Sequence, residues 1–162
     1  MSKVNPVPPG FHTMTPSLAV HDAKAAIEFY KKAFGAELRF FMPGPGGQGV
    51  AHSELKIGDS ILFLNDEFPG ECSAKSPKTL GGTTQSVTLY VEDCDALHKQ
   101  AVAAGAQGSM EPADMFWGDR MSQVVDPFGH IWAIMTHKED LTEQQIAERS
   151  AEFWKSFAAT HQ

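Results

Sequence analysis

The sequence is poor in cysteine, in basic charge and in long apolar runs, and each shortage removes a class of protein. It holds two cysteines in 162 residues, Cys72 and Cys94. They stand alone, in neither a C-x-x-C pair nor a zinc spacing, which excludes a disulfide scaffold and leaves two reduced thiols. Lys and Arg number 13 against 20 Asp and Glu, a net charge of −7. A duplex nucleic-acid binder needs a basic stripe against the phosphates, and none is present. Much of the acidic excess lies in Glu139, Asp140, Glu143, Glu148 and Glu152, so the sign speaks to solubility rather than to a ligand. No uncharged apolar run approaches the ~20 residues of a membrane span. The opening MSKVNPVPPG lacks the apolar stretch of a signal peptide, so a cytoplasmic protein that leaves membranes alone is expected. No G-x-G-x-x-G follows a strand pattern. Gly44-Pro45-Gly46-Gly47 lacks the Lys-Ser/Thr and helix start of a phosphate loop and reads as a flexible hairpin.

What is present is an internal repeat. Leu18-Ala19-Val20-His21-Asp22 is echoed 71 residues on by Leu89-Tyr90-Val91-Glu92-Asp93. Ala33-Phe34-Gly35-Ala36 is echoed 70 residues on by Ala103-Ala104-Gly105-Ala106, and Gly58 by Gly129 at 71. Duplication of one module is the economical explanation. The composition, 42% hydrophobic and 10% aromatic, suffices to bury a core without disulfide or metal.

Each copy reads as strand, helix, then three strands. Residues 13–20 alternate Thr15, Ser17 and Ala19 against Pro16, Leu18 and Val20, the period of a half-buried strand. Asp22 is placed to cap a helix over 23–34, with Ala26, Ile27, Phe29, Tyr30, Ala33 and Phe34 on one stripe and Gly35 at its end. Strands are expected over 36–42, 50–57 and 60–64, the last two joined by a Gly58-Asp59 turn. The second copy gives a strand over 85–91, a helix over 95–104, and strands over 107–111, 120–125 and 130–136, with Asp126-Pro127-Phe128-Gly129 as the last turn. The expected division is an N-terminal extension (1–12), a βαβββ module (13–67), a linker (68–83), a second module (84–137) and a helical tail (138–162). Thr142-Glu143-Gln144-Gln145 opens the tail helix, which carries Phe153, Trp154 and Phe157 on one face. These aromatics pack on their own domain, on a partner subunit, or serve as a lid.

At these residues the chain resembles the vicinal-oxygen-chelate superfamily, which holds glyoxalase I, extradiol dioxygenases, fosfomycin-resistance enzymes and bleomycin-binding proteins. It is most similar to the PhnB-like, glyoxalase/bleomycin-resistance branch. The resemblance is carried by Ala25-Ala26-Ile27-Glu28-Phe29-Tyr30, Ala33-Phe34-Gly35 and His52-Ser53-Glu54-Leu55-Lys56-Ile57-Gly58-Asp59-Ser60. In the second copy it is carried by Leu89-Tyr90-Val91-Glu92-Asp93, Met115-Phe116-Trp117-Gly118-Asp119-Arg120 and Val125-Asp126-Pro127-Phe128-Gly129-His130. It implies an α+β fold in which paired βαβββ modules form a cup-shaped mixed sheet, with helices outside and a ligand in the concavity. The C-terminal helix is an addition to that pattern.

The resemblance also implies where a metal would sit, because superfamily enzymes draw His or Glu ligands from the first and last strand of each module. Those positions fall on Thr15, Leu62, Ser86 and Ala133, whose side chains offer weak neutral donors or none. No cofactor is therefore expected, a divalent metal remaining the alternative. Alternation sends His52, Glu54 and Lys56 to one face of their strand, toward the cup, where His52 and Glu54 can bind a polar group, act as acid and base, or ligate a displaced metal. Their bland reading is a hydrogen-bonded pair at the rim. Trp117 can stack on a ligand and Arg120 can pair with an anion, or Arg120 forms a structural salt bridge with Asp119 or Glu54. Gln123, Thr15, Ser17, Ser86 and Thr88 add neutral hydrogen-bonding groups. His130 alternates with Trp132 and Ile134 and points away from the cup, and His137 lies in the tail.

The leading expectation is a metal-independent protein binding a small organic ligand, as a homodimer. Two alternatives stand beside it: an acid/base or metal-dependent lyase, isomerase or dioxygenase-like enzyme using His52 and Glu54 with Arg120, and an interaction module working through the tail helix.

Overall fold

A computed structural model describes residues 4–70 and 74–160, so Cys72 lies outside the described residues. In chain order the elements are β1 (Ser17–Val20), α1 (Ala23–Phe34), β2 (Glu37–Pro43), β3 (Val50–Ile57), β4 (Ser60–Asp66), α2 (Pro77–Leu80), β5 (Ser86–Tyr90), α3 (Cys94–Ala104), β6 (Gln107–Asp114), β7 (Asp119–Val125), β8 (Ile131–His137) and α4 (Glu143–Thr160). A single 3-10 turn, Pro45–Gly47, sits between β2 and β3. β1 is shorter than the 13–20 expected, because Pro16 has no N–H for the ladder; its carbonyl still accepts from Phe63 N at 2.9 Å. The short α2 falls inside the expected linker.

The local signals work as capping chemistry predicts. Asp22 accepts from Ala25 N and Asp93 from Ala96 N, and both helices stop at left-handed glycines, Gly35 and Gly105. A second cap comes from the last strand of each module. Asp66 Oδ1 accepts from Ala23 N at 2.8 Å, and Thr136 Oγ1 accepts from Cys94 N at 2.9 Å. The repeat read in the sequence is thus repeated in hydrogen bonds.

The expected α+β fold is present, its mixed sheet divided into two four-stranded halves. Sheet A runs β1-β4-β3-β2 and sheet B runs β5-β8-β7-β6, each with one parallel pair at the first-strand edge. A bulge interrupts the β2–β3 ladder between Leu38 and Phe40, and another interrupts β6–β7 between Gly108 and Met110, the position 70 residues on.

One face of sheet A (Leu18, Val20, Leu55, Leu62, Leu64) and one face of sheet B (Val124, Trp132, Ile134) belong to the same buried cluster, with α1 and α3 between them. The helices touch directly, and Gln100 Nε2 donates to the carbonyls of Lys32 and Ala33 at the end of α1. The two sheets therefore stand back to back across their helices, and their other faces look outward in opposite directions.

The junction is organised by one buried carboxylate. Asp126 Oδ2 accepts from Tyr30 Oη at 2.6 Å and Trp132 Nε1 at 2.9 Å, while Oδ1 accepts from Phe128 N and His130 N, both at 2.9 Å. Tyr30 belongs to the first module and the other donors to the second. Around them Tyr30, Phe34, Phe29, Phe128 and Trp132 form an aromatic cluster, the Phe34 and Trp132 rings lying 4.5 Å apart. Burial and the Asp126 charge push the Tyr30 phenol well above its ordinary value, so it stays a donor. His130 completes the junction, its Nε2 lying 3.1 Å from the Ala19 carbonyl.

The linker is docked on the same end. Glu67 accepts from Ser76 N and Thr79 Oγ1, which with Lys75 hold its carboxyl down to about 2. α2 then meets the second hairpin at Gly129, where a Cβ would stand 2.7 Å from Pro77 Cβ and φ is +92°. Glycine is required there on both counts.

Because Asp126 serves both modules, its donors should govern global stability. Tyr30→Phe removes one donor and is expected to cost about 1–2 kcal/mol. Asp126→Asn sets an amide against N–H groups and should cost roughly 3 kcal/mol or more. Urea unfolding followed by tryptophan fluorescence checks the order; an unchanged midpoint for Asp126→Asn would refute this role.

Candidate functional site

The candidate surfaces are the two outward faces, and strand register decides which residues reach them. On sheet A the register aligns Ser17, Phe63, Glu54 and Phe40 across β1, β4, β3 and β2. His52 shares this face, its ring edge-on to Phe63 at 4.7 Å and 6.0 Å from Phe40. Its Nε2 lies 3.8 Å from Glu54 Oε1, too far for a hydrogen bond. Both side chains are partly open to solvent. Thr15 is half-buried just ahead of β1.

Leu62 is a correction. It is buried in the core, in register with Leu55, and the strand residue on the outward face is Phe63. The two hairpins differ in length: Ile57 pairs directly with Ser60, whereas Val125 pairs with Ile131. Counting from the hairpin glycine therefore reaches the outward face in the second module, at Ala133, and misses it by one residue in the first.

On sheet B the matching row is Thr88, Ala133, Gln123 and Met110. Ser86 lies beside Ile131, and Gln123 Oε1 accepts from Ser109 Oγ at 3.1 Å. The expected metal positions thus amount to Thr15, Phe63, Ser86 and Ala133, which offer two neutral hydroxyls and no imidazole or carboxylate. This donor set does not fit a divalent ion. Among the described residues, no three His, Cys, Asp or Glu side chains are grouped to hold one.

Arg120 is the second correction. It stands on the helix side of β7, two residues before the buried Ser122, and reaches α3, where Nε and Nη2 grip the two oxygens of Asp95. Nη1 donates to Asp114 at 3.0 Å and Nη2 to the Pro112 carbonyl at 3.2 Å. These bonds hold the Asp95 carboxyl below its ordinary range. The structure therefore does not bring Arg120 to His52 and Glu54. Its partners are also neither Asp119 nor Glu54. β7 begins at Asp119, one residue ahead of the expected 120–125, and alternation from there turns Arg120 to the helix side with Ser122 and Val124.

What that alternation brings to the outward face is Asp119, a residue the sequence reading passed over. Asp119 is 6% exposed and accepts three donors. Tyr90 Oη donates to Oδ2 at 2.9 Å, Trp117 Nε1 to Oδ2 at 3.1 Å, and His137 Nδ1 lies 2.8 Å from Oδ1. Burial pushes the Asp119 carboxyl up, but the three donors and the His137 charge outweigh it, and the carboxyl is lowered. His137 Nε2 lies 3.0 Å from Asp140 Oδ1, and Asp140 together with Asp119 raises the imidazole above its ordinary value. Trp117 is thus held by its N–H, with Phe116 edge-on at 4.9 Å. The available signal was parity: His137 is four residues beyond Ala133, on the same face of a strand that runs one residue further than expected.

The tail helix opens with the expected cap, Thr142 and Gln145 exchanging backbone-to-side-chain bonds. Arg149 pairs with Glu139 at 2.8 Å, and the Phe153 ring meets Phe116 at 5.3 Å, so α4 leans on the β6–β7 loop while Trp154 stays more than half exposed.

The two back-to-back βαβββ modules define the class. The family model of the Glyoxalase/Bleomycin resistance protein/Dioxygenase superfamily matches residues 11–134, and the chain belongs to that superfamily. It is 43% identical over 123 residues to the uncharacterized protein Mb0911c of Mycobacterium bovis, covering 75% of this chain and 80% of that one. Among solved structures it is similar to TioX from Micromonospora sp. ML1, with a TM-score of 0.62 at 26% identity over 78% of this chain and 98% of that one. It shares the fold of the PhnB protein of Bacillus cereus, with a TM-score of 0.59 at 15% identity over 77% of this chain and 99% of that one.

Two measurements check these placements. Arg120→Lys keeps the charge but loses the two-pronged grip on Asp95; for this partly exposed pair it should cost about 0.5–1 kcal/mol of stability and leave both outward faces unchanged in an amide NMR spectrum. Asp119→Asn should bring the His137 pKa down toward the ordinary imidazole range, read by NMR titration of the ring protons. Wild-type His137 should hold its proton to higher pH than an isolated histidine, as two carboxylates require.

Proposed function

We propose that this chain is a metal-independent small-molecule-binding protein of the PhnB-like, bleomycin-resistance type, whose ligand site closes between two copies. The observation that carries the reading is the back-to-back packing of the modules. With the helix sides of both sheets spent on one core, a single chain has two outward half-sites facing apart, and a cup needs sheet A of one copy against sheet B of another. Exposed apolar side chains on these faces, Phe40 and Met42 on sheet A and Tyr90 on sheet B, supply surface that a second copy can cover. The donor-poor set Thr15, Phe63, Ser86 and Ala133 supports a site that holds its ligand by shape and hydrogen bonds. Residence in the cytoplasm belongs to the same proposal.

A second reading is an acid/base enzyme using His52 and Glu54, favoured by their pairing at 3.8 Å on an outward face beside two aromatic rings. It works without Arg120, which is committed to α3.

Sedimentation of the purified chain at micromolar concentration, with elemental analysis of the same unchelated sample, tests the leading reading. The expected result is a dimer without stoichiometric transition metal. A monomer, or one equivalent of zinc, iron, nickel or manganese per chain, would overturn it. His52→Ala and Glu54→Gln should leave the dimer intact, and loss of a turnover activity in both would move the assignment to the enzyme reading.

A further inference from the structure

We infer that the ligand of the sheet B face is a small organic acid with a flat or apolar body, its carboxylate taken by His137 in the place now held by Asp140. The inference rests on the reading that this face holds a small molecule.

The first argument is the protonation state. Both ring nitrogens of His137 face carboxylate oxygens, Nδ1 at 2.8 Å from Asp119 and Nε2 at 3.0 Å from Asp140. Only a ring with hydrogen on both nitrogens can donate to both carboxylates, so this geometry favours the imidazolium, and the two carboxylates raise its titration above the ordinary value. The second argument is the asymmetry of its partners. Asp119 is buried and fixed by Tyr90 and Trp117 as well, so it is a permanent half of the pair. Asp140 is fully exposed, on the segment between β8 and α4, so it holds Nε2 from the solvent side, where another carboxylate can displace it. The structure thus shows a carboxylate seated on a cation at an outward face, supplied by the chain itself.

Charge selects the incoming group. The groups facing His137 are Asp119 from β7, Asp140 beyond β8, the Tyr90 phenol from β5, and Glu92, which borders the same shallow depression with Val91 and Thr136. Asp119 and His137 cancel, so exchanging Asp140 for a ligand carboxylate leaves the local charge unchanged. A dianion such as phosphate would add charge beside Glu92 and is disfavoured. Next to the imidazolium, Tyr90, Met121 and Met135 form a cross-strand row with Ala133 adjacent, and Tyr90 is 65% exposed with its hydroxyl held by Asp119. A ring pinned at its hydroxyl and flanked by thioethers suits a flat or apolar body.

Asp140 then acts as a tethered competitor, present at the high effective concentration of a neighbouring chain segment. This gives two substitutions of opposite sign. Titration of ¹⁵N-labelled protein at pH 6 with sodium benzoate, and separately with benzamide, reads the outcome from amide shifts in β5, β7 and β8. Benzoate should shift them and benzamide should shift them much less. His137→Gln should weaken benzoate about tenfold, the worth of one charge-assisted hydrogen bond. Asp140→Asn should tighten it severalfold, which a structural role for Asp140 would not do, and it keeps the test open if His137→Gln fails to fold. Benzoate affinity should fall as pH rises through the raised titration of His137. Equal shifts by benzamide, or weaker benzoate binding to Asp140→Asn, would overturn the acid assignment while leaving a small-molecule face in place. If neither probe shifts these strands, the small-molecule reading of sheet B falls along with the inference.

Discussion

The arrangement of the molecule depends on what Asp126 does with its two oxygens. A buried carboxylate is tolerated only when its lone pairs are filled, and here four donors fill them, one from the helix of the first module and three from the last hairpin of the second. That requirement fixes the second module's hairpin on α1. It turns the helix sides of the sheets toward one another, and both outward faces follow from it. The direction in which each sheet's outward face looks is thus decided at the junction between modules, far from the residues on those faces.

The duplicated module, both main helices, the Asp22 cap and the two terminating glycines were legible in the sequence, because alternation, a capping aspartate and a terminating glycine are local signals; the equivalent cap at Asp93 was not read. So was the outward placement of His52, Glu54 and Gln123, which sit in mid-strand where parity is secure. Legibility failed where parity needed an origin. Leu62 and Phe63 exchanged places because the two hairpins differ in length, and Arg120, at the expected start of its strand, had no partner in the sequence to show that its side chain turns to α3. Asp119 and His137 lie 18 residues apart at the ends of adjacent strands, and only the β7–β8 register sets them opposite each other. The docking of Glu67 onto Ser76 and Thr79, which turns part of a linker into a short helix, had no periodic pattern to announce it.

The two modules kept one backbone and diverged in chemistry. Across equivalent rows, Ser17, Phe63, Glu54 and Phe40 on sheet A stand against Thr88, Ala133, Gln123 and Met110 on sheet B. A bulky ring is matched by a methyl, and an acid by its neutral amide. The charged groups differ as well: the first module places an imidazole beside a carboxylate at 3.8 Å, the second clamps one between two. Faces of unequal relief and charge are what two halves of an asymmetric cavity require, whereas two identical faces would favour a symmetric ligand.

The paired bulges in β2 and β6 carry a date. Arg39 and Ser109 are the extra residues, and they stand 70 positions apart, the spacing of the repeat itself. An insertion made independently in each half has no reason to fall at the same rung of the ladder. The bulge therefore belongs to the single module that existed before its gene was doubled. One module has a single long helix against its four strands, and in this chain that helix finds its cover in the helix of the other module, α1 against α3.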